Sequence, residues 1–206
     1  MKMFLGLVTG IILCGVTGFG IVYGLRASAA QGLYYQAKYS SEPHDIRPVL
    51  GRCMKADALY PHNYRFCELV ARKTLAAAQS LTDPIASGDL EATAEKWCNR
   101  GLAMNPRDRE LCWLKTAILE RRSREAAIRY WKDYTDWHFW HPQNQYLLGS
   151  LYARNGHLHE AERIVELLAG RQYGMEMAFV IMEVRARLDS TKGGVEGDDS
   201  WKELLQ

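Results

Sequence analysis

The sequence predicts an all-α fold: a solenoid of about three to four helix-turn-helix units that follows one transmembrane helix. The first observation behind this prediction is a repeat. The frame C-x4-A-[LM]-x-P-x5-C occurs twice, and a third copy keeps the proline without the cysteines; the copies are centred on Pro61, Pro106 and Pro142. A fixed frame that recurs along a chain is typical of stacked supersecondary units. The second observation is a long uncharged run near the N-terminus.

That run extends from Met3 to Leu25 and is long enough for a transmembrane helix with some tilt. A cleaved signal peptide is the alternative, because Ala27-Ser28-Ala29 resembles a cleavage site. The apolar run, however, is longer than the h-region of a signal peptide, and Arg26 directly precedes that site. The pattern therefore favours the anchor hypothesis, in which residues 1–26 form a single span that is not cleaved.

The orientation of the span follows from two weaker signals. Lys2 lies on one side of it, and Arg26 and Lys38 lie on the other, so the positive-inside rule barely discriminates. A short N-terminal tail before a single span usually leaves the larger domain outside the cytoplasm. Paired cysteines favour the same orientation, because disulfides persist in oxidising compartments. We therefore expect a cytoplasmic N-terminus and an extracytoplasmic, periplasmic repeat domain.

Residues 27–190 are predicted to form the repeat domain, and residues 191–206 a flexible tail with a turn-rich composition. Helical spacing of apolar residues, interrupted by prolines, places the helices. The span is expected to continue to Tyr39, and a polar linker is expected at 82–88. The remaining helices are expected at 45–60, 64–80, 89–104, 109–121, 123–140, 145–154, 158–169 and 173–188.

One unit of the repeat carries a recognisable pattern. Its residues Leu148-Gly149, Tyr152, Gly156, Leu158 and Ala161 lie where a tetratricopeptide repeat has its characteristic positions, so the segment from 142 to 170 resembles that family. The small residues Gly149 and Ala161 allow two helices to approach closely, and Gly156 supplies the turn between them. The units around the first two prolines are degenerate. The resemblance covers about two thirds of the chain and implies a protein-binding scaffold without naming its partner.

A second likeness concerns a longer stretch. The run from Ala58 to Ala169 is similar to helical repeat domains that follow membrane-embedded polysaccharide polymerases and ligases in bacterial envelopes. Those proteins have many spans before the repeats, whereas this chain has one span and no polymerase body. The likeness therefore implies an envelope setting and carries over no catalytic role.

The repeated cysteines allow two hypotheses. If each proline marks the corner of an antiparallel helix pair, the two cysteines of a copy lie at similar heights on facing helices, close enough for disulfides Cys53–Cys67 and Cys98–Cys112. The alternative is that all four are small core residues. The third copy favours the core hypothesis, because Tyr134 and Leu148 stand at the same offsets.

An aromatic segment before Pro142 is the second candidate site. Tyr130, Tyr134, Trp137 and His141 follow i, i+4, i+7 and i+11, so they share one helix face that would fill the core. Core packing explains such a face without any function. The alternative makes Tyr134, Trp137 and Trp140 anchors for a protein or glycan partner, because large aromatic residues dominate binding hot spots.

Other classes of function find little support. The formal net charge of +2 is too small for a nucleic-acid binder. Histidines at 138, 141, 157 and 159 lack the spacing of a metal site, and neither G-x-S-x-G nor a glycine-rich phosphate loop occurs. We therefore expect no catalytic residues, no metal and no cofactor. Glycines of the span that could pack against another span are Gly6, Gly10, Gly20 and Gly24.

The sequence thus predicts a membrane-anchored scaffold that binds one or more proteins of the membrane or cell envelope. The alternative is a structural accessory subunit whose span packs into a larger membrane complex. A polysaccharide-associated envelope factor is a third hypothesis. Replacing Gly20 and Gly24 with leucine separates the first two, because only a structural subunit depends on that face of the span.

Overall fold

The computed structural model describes residues 2–40 and 46–192. These residues form nine α-helices and no strand, so the predicted all-α fold is confirmed. The helices are α1 (Lys2–Lys38), α2 (Arg47–Leu59), α3 (Tyr64–Ser80), α4 (Pro84–Met104), α5 (Arg109–Glu120), α6 (Arg124–Trp137), α7 (Pro142–Arg154), α8 (Leu158–Leu167) and α9 (Gly174–Lys192). The solenoid arrangement stays a prediction.

Helix α1 contains the stretch Thr9–Lys38, which is long and apolar enough to cross a membrane; no other helix within the described ranges meets this criterion. Its residues from Thr9 to Arg26 are exposed. Beyond them the helix gains an inner face at i, i+3, i+4 and i+7, formed by Ala30, Leu33, Tyr34 and Ala37. One continuous helix therefore serves first as the candidate span and then as part of a folded core.

The chain divides into two compact units, and unit 1 extends from Met1 to Ile118. Its core lies between the second half of α1 and helices α2 to α5. Phe66 and Val70 of α3 are buried against α1 and α2, whereas Leu75 faces α4 and α5. The proline of the first repeat copy lies at the corner between α2 and α3, and that of the second copy lies between α4 and α5. Both corners are where the repeat predicted them.

Unit 2 extends from Leu119 to Gln206. A Cβ atom added at Gly149 of α7 would lie 2.9 Å from Ile164 of α8 and 2.7 Å from the sulfur of Met177 of α9, so this glycine permits the close approach of three helices. Gly156 has φ +84° and forms the turn between α7 and α8. Ala161 is fully buried. The packing roles predicted for these small residues are confirmed.

Four helix boundaries differ from the prediction by three residues or more. Helix α7 begins at Pro142 rather than at residue 145, because proline fits the first helical position. The expected linker at 82–88 is mostly helical, because Asp83 caps α4 by accepting a hydrogen bond from the Ile85 N–H at 3.0 Å, and Pro84 fits the first helical position. Helix α6 ends at Trp137 rather than at residue 140. Helix α9 continues to Lys192, and the rest of the predicted tail lies outside the described residues.

Candidate functional site

A groove of about 680 Å³ lies in unit 1, between the last turns of α1 and the first turns of α3. Its aromatic lining comes from Tyr34, Tyr35 and Phe66. Its charged lining consists of Lys38, Arg65, Arg72, Lys73, Glu68 and Glu110. The arrangement follows from helical spacing: the lining residues of α1 stand at 31, 34, 35 and 38, so they share one face.

The charges of the groove are organised around Glu68. This carboxylate is 6% exposed and accepts hydrogen bonds from Arg65, at 3.0 Å, and from Arg72. Arg72 also lies 3.7 Å from Glu110. The hydrogen bond to Glu68 raises the pKa of Arg65, so the guanidinium stays charged. Four cations against two carboxylates leave the lining with a charge of 4 − 2 = +2.

Aromatic rings contact the Lys38 cation and one another at this groove. The Lys38 ammonium lies 6.0 Å from the centre of the Tyr34 ring and 5.5 Å from that of Tyr39. The Tyr34 ring in turn lies 5.7 Å from the ring of Phe66, which is buried. Contacts of this kind between cations and rings stabilise by about 0.5–1 kcal/mol at exposed sites. The groove therefore presents positive charge and ring faces on two helices that the core fixes together.

The groove lies a short distance beyond the end of the uncharged run. At the end of that run, Arg26 donates a hydrogen bond to the Ala58 carbonyl at 3.2 Å, and the Tyr23 and Tyr60 rings lie 5.4 Å apart. Tyrosine and arginine at the end of an apolar stretch are typical of a membrane–water interface. At a rise of 1.5 Å per residue, the middle of the Tyr34–Lys38 segment is about 15 Å further along α1. A span that ends near Arg26 thus leaves the groove on the aqueous side.

Sequence reasoning missed this groove. Its residues carry no motif, and its two walls, α1 and α3, are separated in the chain by helix α2. The available signal was the spacing of Tyr34, Tyr35 and Lys38 after the span, together with that of Arg65, Glu68 and Arg72 on one face of α3. Two polar and aromatic faces on neighbouring helices indicate a groove only once the fold brings them together.

The structure places the four repeated cysteines in the core of unit 1. Each is at most 2% exposed, and all five cysteines, which fall within the described ranges, are free thiols. The members of each pair lie on adjacent helices: Cys53 on α2 with Cys67 on α3, and Cys98 on α4 with Cys112 on α5. Burial raises the pKa of the Cys53 and Cys67 thiols to about 11. The two disulfides remain a prediction for the protein in its own compartment.

The aromatic segment is arranged differently from its expected face. The buried ring is Trp131, whose indole N–H donates to the Asn144 carbonyl at 3.2 Å, whereas Trp137 is 64% exposed. The expected core face was therefore wrong, because the core of unit 2 lies one position round the helix and because α6 ends before His141. Tyr134 is half-buried, with its ring 4.9 Å from that of Trp131.

The three aromatic residues proposed to bind a partner differ in their exposure. Trp137 and Trp140 are exposed, and so is Phe139 between them. Tyr134 contributes to the core through its stack on Trp131. The exposed rings stay candidates for a contact, whereas the groove of unit 1 has both a shape and a charge.

Of the span glycines, Gly10, Gly20 and Gly24 have open surroundings: a Cβ atom added there meets no heavy atom of the described chain within 4 Å. The surroundings of Gly6 lie outside what the structure describes. The described residues contain no group of three or more histidine, cysteine or acidic side chains that could hold a metal ion.

Searches against protein-family models, curated proteins and solved structures find no match for this chain.

Proposed function

We propose that this protein is a membrane-anchored helical scaffold that holds an acidic segment of a partner protein in the groove between α1 and α3. The observation that supports this most directly is the composition of the groove, which combines a charge of +2 with three aromatic rings. Aspartate and glutamate side chains of a peptide would pair with the cations, and its apolar side chains would pack on the rings.

The position of the groove supports a tethered scaffold. One of its walls is the continuation of the candidate span, so a partner held there stays within a few nanometres of the bilayer. The buried inner face of α1 packs against α2 and α3. The candidate span and one wall of the groove are therefore parts of the same helix. We place the scaffold at a cell envelope, with the N-terminus in the cytoplasm and the repeats outside it. Thiol counting on the unfolded chain tests this orientation, because disulfides would form only on the oxidising side.

The test uses a photocrosslinking amino acid in place of Tyr35 in the full chain, expressed in membranes. A double variant, Lys38→Glu with Lys73→Glu, changes the charge of the groove from +2 to −2 and leaves the pairs around Glu68 in place. We expect the yield of crosslinked protein partner to fall by about tenfold or more, because like charges across a contact oppose binding.

The matched control carries Lys55→Glu with Lys96→Glu. Both lysines are exposed in unit 1 and lie outside the groove, so the net charge of the chain changes by the same amount. Equal losses in the two double variants would show a general charge effect and contradict the proposed groove. Crosslinks to lipid alone would contradict a protein partner.

The alternative, a structural accessory subunit, has one observation in its favour. A Cβ atom added at Gly10, Gly20 or Gly24 meets no heavy atom of the described chain within 4 Å, so that face is open to a second span. A polysaccharide-associated role, the third hypothesis, has support only from the exposed rings of Trp137 and Trp140. Neither alternative accounts for the charged groove.

A further inference from the structure

Helix α9, the last within the described ranges, carries apolar side chains on two opposite faces. Met177 and Ile181 are buried in the core of unit 2. On the other side, Met175, Phe179 and Met182 are 77%, 66% and 62% exposed; we call these three residues the outer stripe. A surface helix normally has one apolar face, and the terminal helix of a stacked array is normally polar on its outside. The outer stripe therefore requires a cover.

A groove of about 360 Å³ between α8 and α9 adjoins this stripe. Its floor is apolar and consists of Val165, Ala178, Ile181 and Met182. Its rims are charged, with Glu162 and Glu166 on α8 and Arg185 on α9. Met182 belongs to both features, so the outer stripe and the groove form one continuous apolar surface.

We propose that residues 200–206 of the same chain, Ser-Trp-Lys-Glu-Leu-Leu-Gln, dock on this surface. Trp201, Leu204 and Leu205 stand at i, i+3 and i+4, so a helical turn of this segment has one apolar face and one polar face. A tryptophan buries more apolar area than any other side chain of the segment. The apolar face of the segment could therefore cover the apolar surface, with its polar face towards solvent.

The length of the chain beyond α9 permits this contact. Phe179 lies thirteen positions before Lys192, which is about 20 Å back along the helix. Trp201 lies nine positions after Lys192, and an extended chain of that length spans about 30 Å. Glycines at 193 and 194 allow the backbone to reverse direction directly after the helix.

The charges along that path are complementary. The connecting residues include Glu196, Asp198 and Asp199, and α9 carries Arg185 and Arg187, which also pair with Glu162 and Glu183. Lys202, next to the tryptophan, would reach the acidic rim of the groove. Opposite charges of this kind fix the direction and register of a contact more than its strength.

A segment of the same chain is favoured over a second copy by its effective concentration. A short linker holds its two ends at about millimolar concentration of each other, which a second copy does not reach at ordinary expression levels. An intrinsic dissociation constant of about 0.2 mM would then protect the surface about five- to sixfold, since protection is one plus the ratio of concentration to that constant.

Methionine oxidation tests the proposal with an internal reference. Met54 of α2 is 59% exposed, much like Met175 and Met182, so all three would oxidise at similar rates if nothing covered α9. In the full chain, purified in lipid nanodiscs and treated briefly with peroxide, we expect sulfoxide at Met175 and Met182 to form about fivefold more slowly than at Met54. Peptide mass spectrometry measures the three rates, and the double variant Trp201→Ala with Leu204→Ala should make them equal.

Three outcomes would overturn the proposal. The first is equal oxidation rates in the full chain. The second is protection that persists in the double variant, which would assign the cover to lipid or to another protein. A photocrosslinker in place of Phe179 gives the third: a product of two chains' mass would indicate a second copy, whereas a product at the mass of one chain that maps to residues 200–206 supports docking within the chain.

Discussion

At the scale of the residue, the most distinctive group is the thiol of Cys98, in the cluster formed by α3, α4 and α5. It is buried, and its sulfur lies 3.3 Å from the Leu111 carbonyl oxygen, to which the thiol donates a weak hydrogen bond. Burial, which disfavours the thiolate, raises the pKa of Cys98 to about 12 from an ordinary 9.0. A neutral, paired thiol of this kind is a packing group rather than a nucleophile.

The shifted pKa predicts how stability depends on pH. Because the folded state holds the proton of Cys98 more tightly, its contribution is complete below pH 9 and is lost as the pH rises towards 12. We expect Cys98→Ala to be less stable than the parent at pH 8 by about 1–2 kcal/mol, since the substitution leaves a small cavity. That difference should shrink by about 1.4 kcal/mol per pH unit above pH 9. Urea unfolding at several pH values measures both curves.

The same experiment bears on the disulfide hypothesis. A Cys98–Cys112 disulfide has no thiol proton to lose, so parent and variant curves that stay parallel up to pH 11 would contradict the free thiols. If a disulfide is the cause, reducing the parent protein should make its stability difference from Cys98→Ala shrink again above pH 9. The pH dependence of the free energy of unfolding therefore distinguishes free thiols from a disulfide at Cys98 and Cys112.

At the scale of the element, α4 contains two glycines in opposite situations. A Cβ atom added at Gly101 would lie 2.8 Å from Leu111 and 3.0 Å from the Cβ of Cys67, whereas one added at Gly88 meets nothing within 4 Å among the described residues. Gly101 therefore marks a place where α3, α4 and α5 approach closely. Gly88 contributes only conformational freedom to the unfolded chain.

These two positions give a matched pair of substitutions on one helix. Gly88→Ala should raise the free energy of unfolding by about 0.5–1 kcal/mol. Gly101→Ala should lower it by about 1–3 kcal/mol, because the added methyl group overpacks a fully buried cluster. Thermal unfolding followed by circular dichroism compares them, and equal stability of the two variants would show that α3 and α4 are not in such close contact.

The elements also show what the sequence could and could not predict. Prolines and apolar spacing located α3 at its observed bounds, and the repeat located both proline corners. The start of α4 was missed because Pro84 reads as a breaker unless Asp83 is seen to cap the helix. Trp131 was missed as the buried ring because spacing gives the faces of a helix but not which face meets the core. The groove was missed for the same reason, since it depends on how α1 and α3 face each other.

At the scale of the whole molecule, the question is whether the candidate span only tethers the groove or is itself a contact. At about 100° per residue, the four glycines at 6, 10, 20 and 24 fall on one side of α1, and Gly15 and Gly18 fall on the opposite side. Close approach of a second span requires small residues on one face. The two sides of α1 therefore provide a test and its control on a single helix.

A tethered scaffold predicts that Gly20→Leu with Gly24→Leu leaves partner binding unchanged, because the groove-lining segment Tyr34–Lys38 is centred about 15 Å beyond Arg26. The measurement is the crosslink yield from Tyr35, together with the size of the complex extracted in mild detergent. Gly15→Leu with Gly18→Leu is the control and adds the same volume to the other side. If the variant at Gly20 and Gly24 causes the complex to dissociate and the variant at Gly15 and Gly18 does not, the span is a structural contact. The accessory-subunit hypothesis then replaces the scaffold. If neither pair acts while the groove variant abolishes the crosslink, binding resides in the folded unit and the helix supplies its position.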